Sequence, residues 1–392
     1  MNKKIEHRQA DTERTLPPLR IVVASESPLG DINGVTNSVR QSLKYLRGSG
    51  HEAIVVCPKP APKEFAGFEV ITTRSVPFQG FNLGVPGPHK VPRIIERFEP
   101  DVVHVASPAW TIGRTALLGA AHFEVPSVAI YQTDIVNYAR RFRVNAITTR
   151  AERTMAMLHN LATRNLAPSM SARNDLIAYG VNQASIHQWA RGVDSEKFHP
   201  DRRLGPDVEA LRQQFLCGDT RPIIGYIGRL AVEKRVERLA SLKDLDARLV
   251  IVGDGPMRPR LETILPDDTI FTGELRGNKL ANAYAALDIF IHTGTQETFG
   301  QTLQEAMASG LPVIAPAAGG PLDIVKHDVT GLLYSPENDD HLRRDAQRLI
   351  DNKDERESMG QQGRLAVEQR TWHVLGQELV QHYRQAIAEE SL

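Results

Sequence analysis

Cysteine is almost absent from this sequence of 392 residues, which contains only Cys57 and Cys217. Two cysteines cannot form the disulfide framework that stabilises small secreted domains, so we expect a protein of a reducing compartment. No run of about eighteen apolar residues occurs, so no transmembrane helix is predicted. The first nineteen residues are polar and lack the apolar segment of a secretory signal, so no signal peptide is expected.

Net charge is also lacking, because 47 basic side chains balance 47 acidic ones. A chain with this balance is not expected to be a dedicated nucleic-acid-binding protein. The balance conceals an asymmetry, since residues 1–191 contain 23 basic and 15 acidic side chains and residues 192–392 contain 24 and 32. The N-terminal half is therefore predicted to favour anions or an anionic surface.

Short apolar runs alternate with helical patterns from residue 20 onward. The predicted strands are 19–25, 53–58, 101–107 and 127–134 in the first half, and 222–228, 248–255, 269–275, 288–294 and 312–320 in the second. Continuous Val and Ile runs fit parallel strands that are buried on both faces. The predicted fold class is α/β, with two doubly wound Rossmann-like domains, and one large α/β domain is the alternative.

The length of the chain favours two domains over a single core. We predict an N-terminal tail at 1–18, a first domain at 19–190, a second at 191–371 and a C-terminal helix at 372–392. The polar, turn-rich stretch 187–203 is the predicted linker. The C-terminal helix is amphipathic, and its predicted apolar face consists of Val374, Leu375, Leu379, Val380, Tyr383 and Ile387.

The stretch ETFGQTLQEAMASG at 297–310 has carboxylates at both ends of a predicted loop-to-helix junction. It follows the strand 288–294, and ligands of open α/β sheets bind at the carboxyl ends of strands. If the helix starts near Phe299, Glu297 and Glu305 are at most roughly 12 Å apart. Carboxylates accept hydrogen bonds from sugar hydroxyls, and the amides of Phe299 and Gly300 would face an anion between them.

Two cations follow the strand 222–228 in the sequence GYIGRLAVEKR. The guanidinium of Arg229 and the ammonium of Lys234 suit a diphosphate leaving group. No acidic DxD pair stands at a strand end, so these cations and not a metal ion are expected to neutralise the diphosphate. The alternative is that both are ordinary solvated charges.

Five motifs in order resemble retaining GT-B glycosyltransferases of family 4. They are RGVDxxxF at 191–198, GRL…EK at 228–234, VGDGP at 252–256, FTGEL at 271–275 and the EX₇E pair Glu297 and Glu305. More narrowly, NGVTNSV, DVVHVASPA, YQTD and FTGELRG are similar to actinobacterial GDP-mannose-dependent α-mannosyltransferases of lipoglycan assembly. The resemblance extends from about residue 19 and implies two domains that face across a cleft, with the C-terminal helix returning to the first.

The resemblance also implies residue roles. Arg229, Lys234 and Glu297 would be catalytic, with the cations on the diphosphate and Glu297 on the donor sugar. Glu305 would hold the ribose. The implied donor-binding residues are Gly34, Gly253, Thr272, Gly273, Leu275, Thr298, Phe299, Gly300 and Glu305. The implied residues on the acceptor or sugar side are Asn33, Tyr131, Gln132, Asp134 and Tyr138.

One position departs from the family pattern. Many relatives have a histidine where this chain has Gln132, and an amide cannot move a proton. Asp134 is the titratable group nearby, and a strand-end cap is the alternative for it. The resemblance implies that the leaving phosphate oxygen takes the acceptor proton, so no general base is expected.

The implied partners are a nucleotide sugar, GDP-mannose above all, and a glycolipid acceptor such as a glucuronosyl diacylglycerol. No cofactor or metal is expected, and no oligomeric state is predicted. Arg140, Arg141 and Arg143 would dock the protein on an anionic membrane, with 78–88 as a further contact, which implies a peripheral protein on the inner face of the plasma membrane.

Several alternatives stay open at this point. The donor could be a UDP-sugar, and the acceptor could be of the phosphatidylinositol type. A nucleotide-sugar epimerase and a non-catalytic nucleotide-sugar sensor are the alternatives from other functional classes. A dehydrogenase is the weakest of these hypotheses, because the first turn lacks the GxGxxG motif.

Overall fold

A computed structural model of the chain describes residues 16–31, 33–78, 81–108, 111–133, 135–136 and 145–390. Contacts divide the chain into two compact units. Unit 1 comprises Met1–Leu166, Tyr179–His187 and Gly376–Leu392, and unit 2 comprises Ala167–Ala178 and Gln188–Leu375.

The first sheet has nine strands within the described residues, in the order β3-β4-β2-β1-β6-β7-β8-β9, with β5 beside β4. The strands are β1 Arg20–Ser25, β2 Glu52–Pro58, β3 Glu64–Phe65, β4 Phe68–Phe78, β5 Phe81–Val85, β6 Val102–Ala106, β7 Ser127–Ile130, β8 Arg164–Ala167 and β9 Ile186–Gln188. The run from β4 through β8 is parallel, whereas β3 and β5 pair with β4 in the antiparallel sense.

The second sheet is parallel throughout and follows the order β12-β11-β10-β13-β14-β15. Its strands are β10 Ile223–Ile227, β11 Arg248–Val252, β12 Ile270–Gly273, β13 Ile289–Ile291, β14 Val313–Pro316 and β15 Gly331–Tyr334. Successive side chains point to opposite faces, so Ile223 and Ile227 lie in one apolar cluster while Ile224 and Tyr226 lie in another. Both faces of the sheet are therefore buried.

Helices separate most of the strands and cover both sheets. Those of the described residues are α1 Gly34–Gly48, α2 Lys90–Phe98, α3 Thr111–His122, α4 Asn145–His159, α5 Met170–Tyr179, α6 Pro206–Leu216, α7 Arg258–Ile264, α8 Gly277–Ala286, α9 Gln301–Ala308, α10 Pro321–Ile324, α11 Asp339–Asp351, α12 Lys353–Val367 and α13 Trp372–Glu390. The predicted α/β class with doubly wound parallel sheets is confirmed.

The predicted strands all exist, and β1 and β2 end where expected, but the other predicted strands end earlier than expected. The run 288–294 contains only Ile289–Ile291 as strand, so His292 and the residues after it form a loop at the sheet edge. The short strands β3, β8, β9 and β15 and the hairpin of β4 and β5 were not predicted. Short strands carry too few residues for a periodic signal.

The stretch 187–203 is packed, which a free linker would not be. Trp189, Val193 and Phe198 are buried, and the Trp189 indole donates a hydrogen bond to the Leu375 carbonyl at 2.9 Å. The polar residues between them hid these three anchors from composition-based reasoning. The unit boundaries also differ from the predicted seam at 190, since 167–178 belongs to unit 2.

Helix α13 packs with its C-terminal part inside unit 1. The Tyr383 hydroxyl lies 2.5 Å from His104 Nδ1, and a Cβ at Gly376 would lie 2.1 Å from the Tyr45 ring. Glycine at 376 therefore permits the close contact between this helix and α1. Leu375, Leu379, Val380 and Tyr383 are buried as predicted and Ile387 is half-buried, but Val374 is exposed.

We predict that acid weakens the fold through three histidines. Burial lowers the pKa of His104, His159 and His292 to about 4, from 6.5, so the unfolded chain binds protons that the folded chain does not between those values. Stability is therefore lost as pH falls through this window, by at most about 3 kcal/mol per histidine. Glu305 opposes this with one proton, because burial raises its pKa to about 7.

Urea unfolding between pH 6.5 and 5.5 checks this prediction. The free energy of unfolding should fall with pH, and His104→Gln should reduce the slope by close to one proton. A slope that is flat in the parent protein would contradict it.

Candidate functional site

The loops at the carboxyl edge of the second sheet contain most of the predicted donor residues. Strand β10 is followed by Gly228 and Arg229, and β11 is followed by Gly253. Strand β13 leads into His292, and β14 leads into 317–320. Because parallel strands end at the same edge, these loops meet where ligands of open α/β sheets bind.

Glu297 and Lys234 form an ion pair in this edge, with Lys234 Nζ donating to Glu297 Oε1. His292 Nε2 lies 3.6 Å from the same oxygen. The Glu297 side chain is only 16% exposed, and burial alone would raise its pKa. The positive charges around it, that of Lys234 first, and the hydrogen bond from Lys234 together outweigh burial and hold that pKa below its usual value. The site thus presents an ionised carboxylate beside a neutral imidazole.

Arg229 forms a second ion pair, with the carboxylate of Glu233 one helical turn later. Its side chain is 44% exposed. The tight turn Val232–Lys234 brings Glu233 and Lys234 back to the sheet edge, and the Thr293 hydroxyl fixes it by donating to the Lys234 carbonyl at 2.6 Å. The structure therefore places both predicted cations in one loop, each beside a carboxylate.

Tyr226 shows that these charges share one neighbourhood. Burial raises the pKa of its hydroxyl, and the negative charges of Glu297 and Glu233 raise it further, while Arg229 opposes them. The hydroxyl donates to the Arg229 carbonyl at 3.2 Å. Arg229 and Glu297, two of the predicted catalytic residues, thus lie near one buried tyrosine at the end of β10.

The loop that carries Glu297 is held by backbone contacts. The Gly320 amide donates to the Glu297 carbonyl at 2.8 Å, and the Ser169 hydroxyl donates to the Thr298 carbonyl at 2.8 Å. A Cβ at Gly320 would lie 2.1 Å from the Phe299 carbonyl oxygen. The position of Glu297 therefore depends on Gly320, in the loop after β14, and on Ser169 in the segment 167–178.

Helix α9 begins at Gln301, later than the predicted start near Phe299. Gly300 precedes it with φ of 108°, a left-handed conformation that side chains disfavour. The Phe299 ring is buried in the core of unit 2, so only its backbone remains for a ligand. The sequence signal was ambiguous because an apolar residue before a glycine can belong to the helix or to the loop.

Glu305 lies on α9 in surroundings unlike those of Glu297. The Tyr284 hydroxyl donates to Glu305 Oε2 at 3.0 Å, and Tyr284 is itself buried. Burial raises the pKa of Glu305 to about 7, although this hydrogen bond favours the ionised form. The two predicted carboxylates thus differ, since the cations around Glu297 favour its ionised form, whereas burial favours the protonated form of Glu305.

Gly253 and the segment 272–275, which are predicted to bind the donor, approach each other through glycine contacts. Gly253 has φ of 137° and its amide donates to the Gly273 carbonyl at 2.9 Å. A Cβ at Gly253 would lie 2.0 Å from the Gly228 carbonyl oxygen. The Thr272 hydroxyl donates to the Gly273 carbonyl, and Leu275 packs on the core, so both are structural in the described state.

In unit 1 the predicted acceptor-side residues have local partners. Asn33 caps α1, and its side chain accepts a hydrogen bond from the Thr36 amide at 2.9 Å. The amide of Gln132 lies 3.4 Å from the Ser38 hydroxyl, and the Tyr131 side chain is buried. These contacts give Asn33 and Tyr131 a structural role in the fold, in addition to any ligand that they bind.

Gly34, another predicted residue of unit 1, is the first residue of α1. Outside the described residues lie Asp134, Tyr138, Arg140, Arg141 and Arg143.

Four residues of the site were not assigned a role from the sequence. Glu233 could have been found, because it lies four residues after Arg229 and acids at that spacing pair with arginine. His292 lies in the predicted strand 288–294 and Arg191 in the motif RGVDxxxF, but neither position carries a spacing signal. Tyr284 is one apolar residue of a helix in the sequence, and only the packing of α8 shows its hydroxyl reaching Glu305.

Within the described part of the chain, no three His, Cys, Asp or Glu side chains cluster as ligands of a metal ion. Among the same residues, none of the helices has the length and apolar character required to cross a bilayer.

Two family models match this chain. Residues 32–197 match the family described as Glycosyltransferase Family 4, and residues 207–366 match Glycosyl transferases group 1. A protein of Mycolicibacterium smegmatis named GDP-mannose-dependent alpha-mannosyltransferase is 44% identical over 95% of this chain and 99% of its own. A protein of Corynebacterium glutamicum with the same name is 39% identical over 95% and 90%.

The solved structures show the same architecture. Anabaena Alr3699/HepE in complex with UDP superposes with a TM-score of 0.78 at 20% identity, covering 94% of this chain and 100% of its own. At this identity the likeness concerns the fold, and it confirms the predicted GT-B fold class.

We predict that Gly320→Ala destabilises unit 2 and displaces the Glu297 loop, because its Cβ meets the Phe299 carbonyl. The expected loss is roughly 1 to 3 kcal/mol, as for other overpacked sites. Thermal unfolding measures it, with Gly48→Ala as the matched control, since a Cβ at Gly48 meets nothing within 4 Å. Equal melting temperatures for the two variants would contradict the prediction.

Proposed function

The chain belongs to glycosyltransferase family 4 and is a hexosyltransferase, and on that premise we propose that it transfers mannose from GDP-mannose to a glycolipid with retention of configuration. The observation that carries this proposal is 39 to 44% identity, over 95% of the chain, to two relatives named for GDP-mannose. The charges around Glu297 support it, because they suit a negatively charged donor that carries hydroxyls.

The donor would lie along the carboxyl edge of the second sheet. Arg229 and Lys234 would bind the diphosphate, and Glu297 would accept hydrogen bonds from mannose hydroxyls. Glu305 would hold the ribose. In the described state both cations are paired with acids, so the arriving diphosphate must compete with Glu233 and Glu297 for them.

The reaction would rely on charge stabilisation and not on a general base. The bond from mannose C1 to the β-phosphate oxygen breaks, and the acceptor oxygen bonds to C1 on the same face. The acceptor proton passes to the leaving phosphate oxygen, so GDP departs with its charge held by Arg229 and Lys234. Gln132 would contribute hydrogen bonding alone.

The acceptor would be a glucuronosyl diacylglycerol or a related lipid at an anionic membrane, with the protein peripheral on its inner face. Unit 1 supports this by its exposed cations, including Arg150 and Arg153 on α4. A cavity of ≈ 460 Å³ beside α2 combines an apolar wall from Ile71 and Ile94 with a cationic rim from Lys90, Arg93 and Arg97. That combination suits an anionic lipid headgroup.

Incubation of the purified protein with radiolabelled GDP-mannose and glucuronosyl diacylglycerol tests the function. We expect a mannosylated lipid whose new linkage is α. A product from UDP-glucose or from a phosphatidylinositol lipid would replace the proposed substrates. Conversion of GDP-mannose without acceptor would indicate an epimerase, and donor binding without turnover would indicate a sensor.

We predict that Arg229→Ala and Lys234→Ala each lower turnover by about 10² to 10³, since a preorganised charge on the leaving group is lost. Initial rates at saturating donor measure this. Arg348→Ala is the control, because Arg348 is paired with Asp328 and Glu355 and belongs to no predicted site. Rates near those of the parent in a folded Arg229→Ala protein would refute the diphosphate role.

We predict that GDP-mannose binding releases a proton below pH 7. Ribose hydroxyls that donate to Glu305 favour its ionised form, whereas the unoccupied carboxyl has a pKa of about 7. Affinity should therefore rise with pH and level off above about 7. Calorimetry at pH 6.5 in two buffers of different ionisation enthalpy measures the release, which Glu305→Gln should abolish.

GDP-mannose is the ligand of choice in that experiment, because its diphosphate is esterified at both ends and has no proton to lose near neutral pH. If GDP-mannose binding to the parent protein releases no proton, the ribose role of Glu305 is excluded.

We predict that Arg93→Glu with Arg97→Glu weakens binding to anionic vesicles, at about 1 kcal/mol per charge removed near the surface. Flotation with and without anionic lipid measures it, and Arg343→Glu with Arg344→Glu on α11 is the matched control. Equal recovery of the parent protein from neutral and anionic vesicles would remove the membrane proposal.

A further inference from the structure

Arg191 is a buried cation that the roles assigned so far do not explain. Its residue is 6% exposed, and its Nε has no hydrogen-bond partner among the described residues. Burying a guanidinium costs several kcal/mol unless a nearby negative charge compensates it. Its retention at this position therefore requires a partner of opposite charge.

The backbone at Arg191 is fixed against helix α9. The Gln304 side chain donates to the Arg191 carbonyl at 3.0 Å, and the Gln301 side chain donates to the Gly192 carbonyl at 3.1 Å. A Cβ at Gly192 would lie 2.7 Å from backbone atoms of Trp372, so the chain is confined on that side too. The backbone that carries the guanidinium is thus held in place beside α9, the helix that follows Glu297.

Glu297 is the carboxylate whose charge acts on Arg191, and it lies four residues before α9, against which the Arg191 backbone is fixed. Burial lowers the pKa of Arg191 to about 10, and the Glu297 carboxylate partly offsets this. The groups that face Glu297 from the surrounding elements are Lys234 after β10, His292 after β13, Arg191, and the hydroxyl of Tyr226. His292 is neutral near pH 7, so two cations flank one carboxylate.

We propose that Arg191 is a positioning residue of the donor site, a fixed buried cation that acts through Glu297. With Arg191 in place, Glu297 keeps a counter-charge when Lys234 turns toward the donor diphosphate. Without it, Lys234 could leave only by stranding a buried carboxylate, which costs several kcal/mol. The step involving the donor rests on the proposed function, whereas the pairing with Glu297 does not.

The pairing is tested by unfolding and needs no ligand. Glu297→Gln should leave two buried cations uncompensated, so adding Arg191→Gln should cost less in this background than in the parent. We expect the double variant to melt at least about 3 °C above the temperature that additive losses give. Should Arg191→Gln alone fail to fold, the double variant should still fold, and its failure to do so would overturn the pairing.

Arg248→Gln is the matched control for this cycle. Arg248 is also buried, but it pairs with Asp219 and Asp268. Its loss should therefore add to that of Glu297→Gln without coupling. Additive losses for Arg191→Gln as well would overturn the proposal.

The release of Lys234 is tested by GDP-mannose affinity, measured by calorimetry. Arg191→Gln should weaken binding by about tenfold, and Lys234→Ala should then cause no further loss, because Lys234 is already held by Glu297. Arg191→Lys, which retains the charge, should restore the cost of Lys234→Ala. Independent losses would show that Arg191 is merely structural.

The two experiments separate the two claims. A parent protein that does not bind GDP-mannose would refute the proposed donor, while coupling in the unfolding cycle would still place Arg191 on Glu297.

Discussion

The ion pair between Lys234 and Glu297 is the contact on which the rest of the donor site depends. Glu297 is largely buried, and a buried carboxylate stays ionised only beside a positive charge. Lys234 supplies that charge, and His292, kept neutral by burial, adds none at neutral pH. An ionised acceptor for hydroxyls and a cation for phosphate therefore stabilise each other before any ligand arrives.

Backbone packing places this pair. Gly320 approaches Phe299 so closely that a side chain would not fit, and its amide binds the carbonyl of Glu297. Ser169 holds the next residue of the same loop. The turn that carries Lys234 is fixed in the same manner by Thr293. The charged atoms thus occupy positions that rigid loops impose, which lowers the cost of ordering them around a donor.

The two ends of the site differ because their surroundings differ. Glu297 lies among cations and is ionised, whereas Glu305 is buried beside a tyrosine hydroxyl and holds its proton up to about pH 7. One carboxylate is thus ready to accept hydrogen bonds, and the other would give up its proton on binding the proposed donor. The EX₇E spacing says nothing of this contrast, which arises from the groups on β10, α8 and the loop after β13.

The sequence by itself determined the α/β class, the parallel strands of the second sheet and the residues at their ends. Those features are local, since apolar runs specify buried strands and a motif follows each strand directly. Only the tertiary structure decided which polar groups meet: Glu233 with Arg229, Tyr284 with Glu305, and Lys234 with Glu297. These partners lie on separate segments, and their distances depend on glycine contacts and loop geometry that no spacing along the chain encodes.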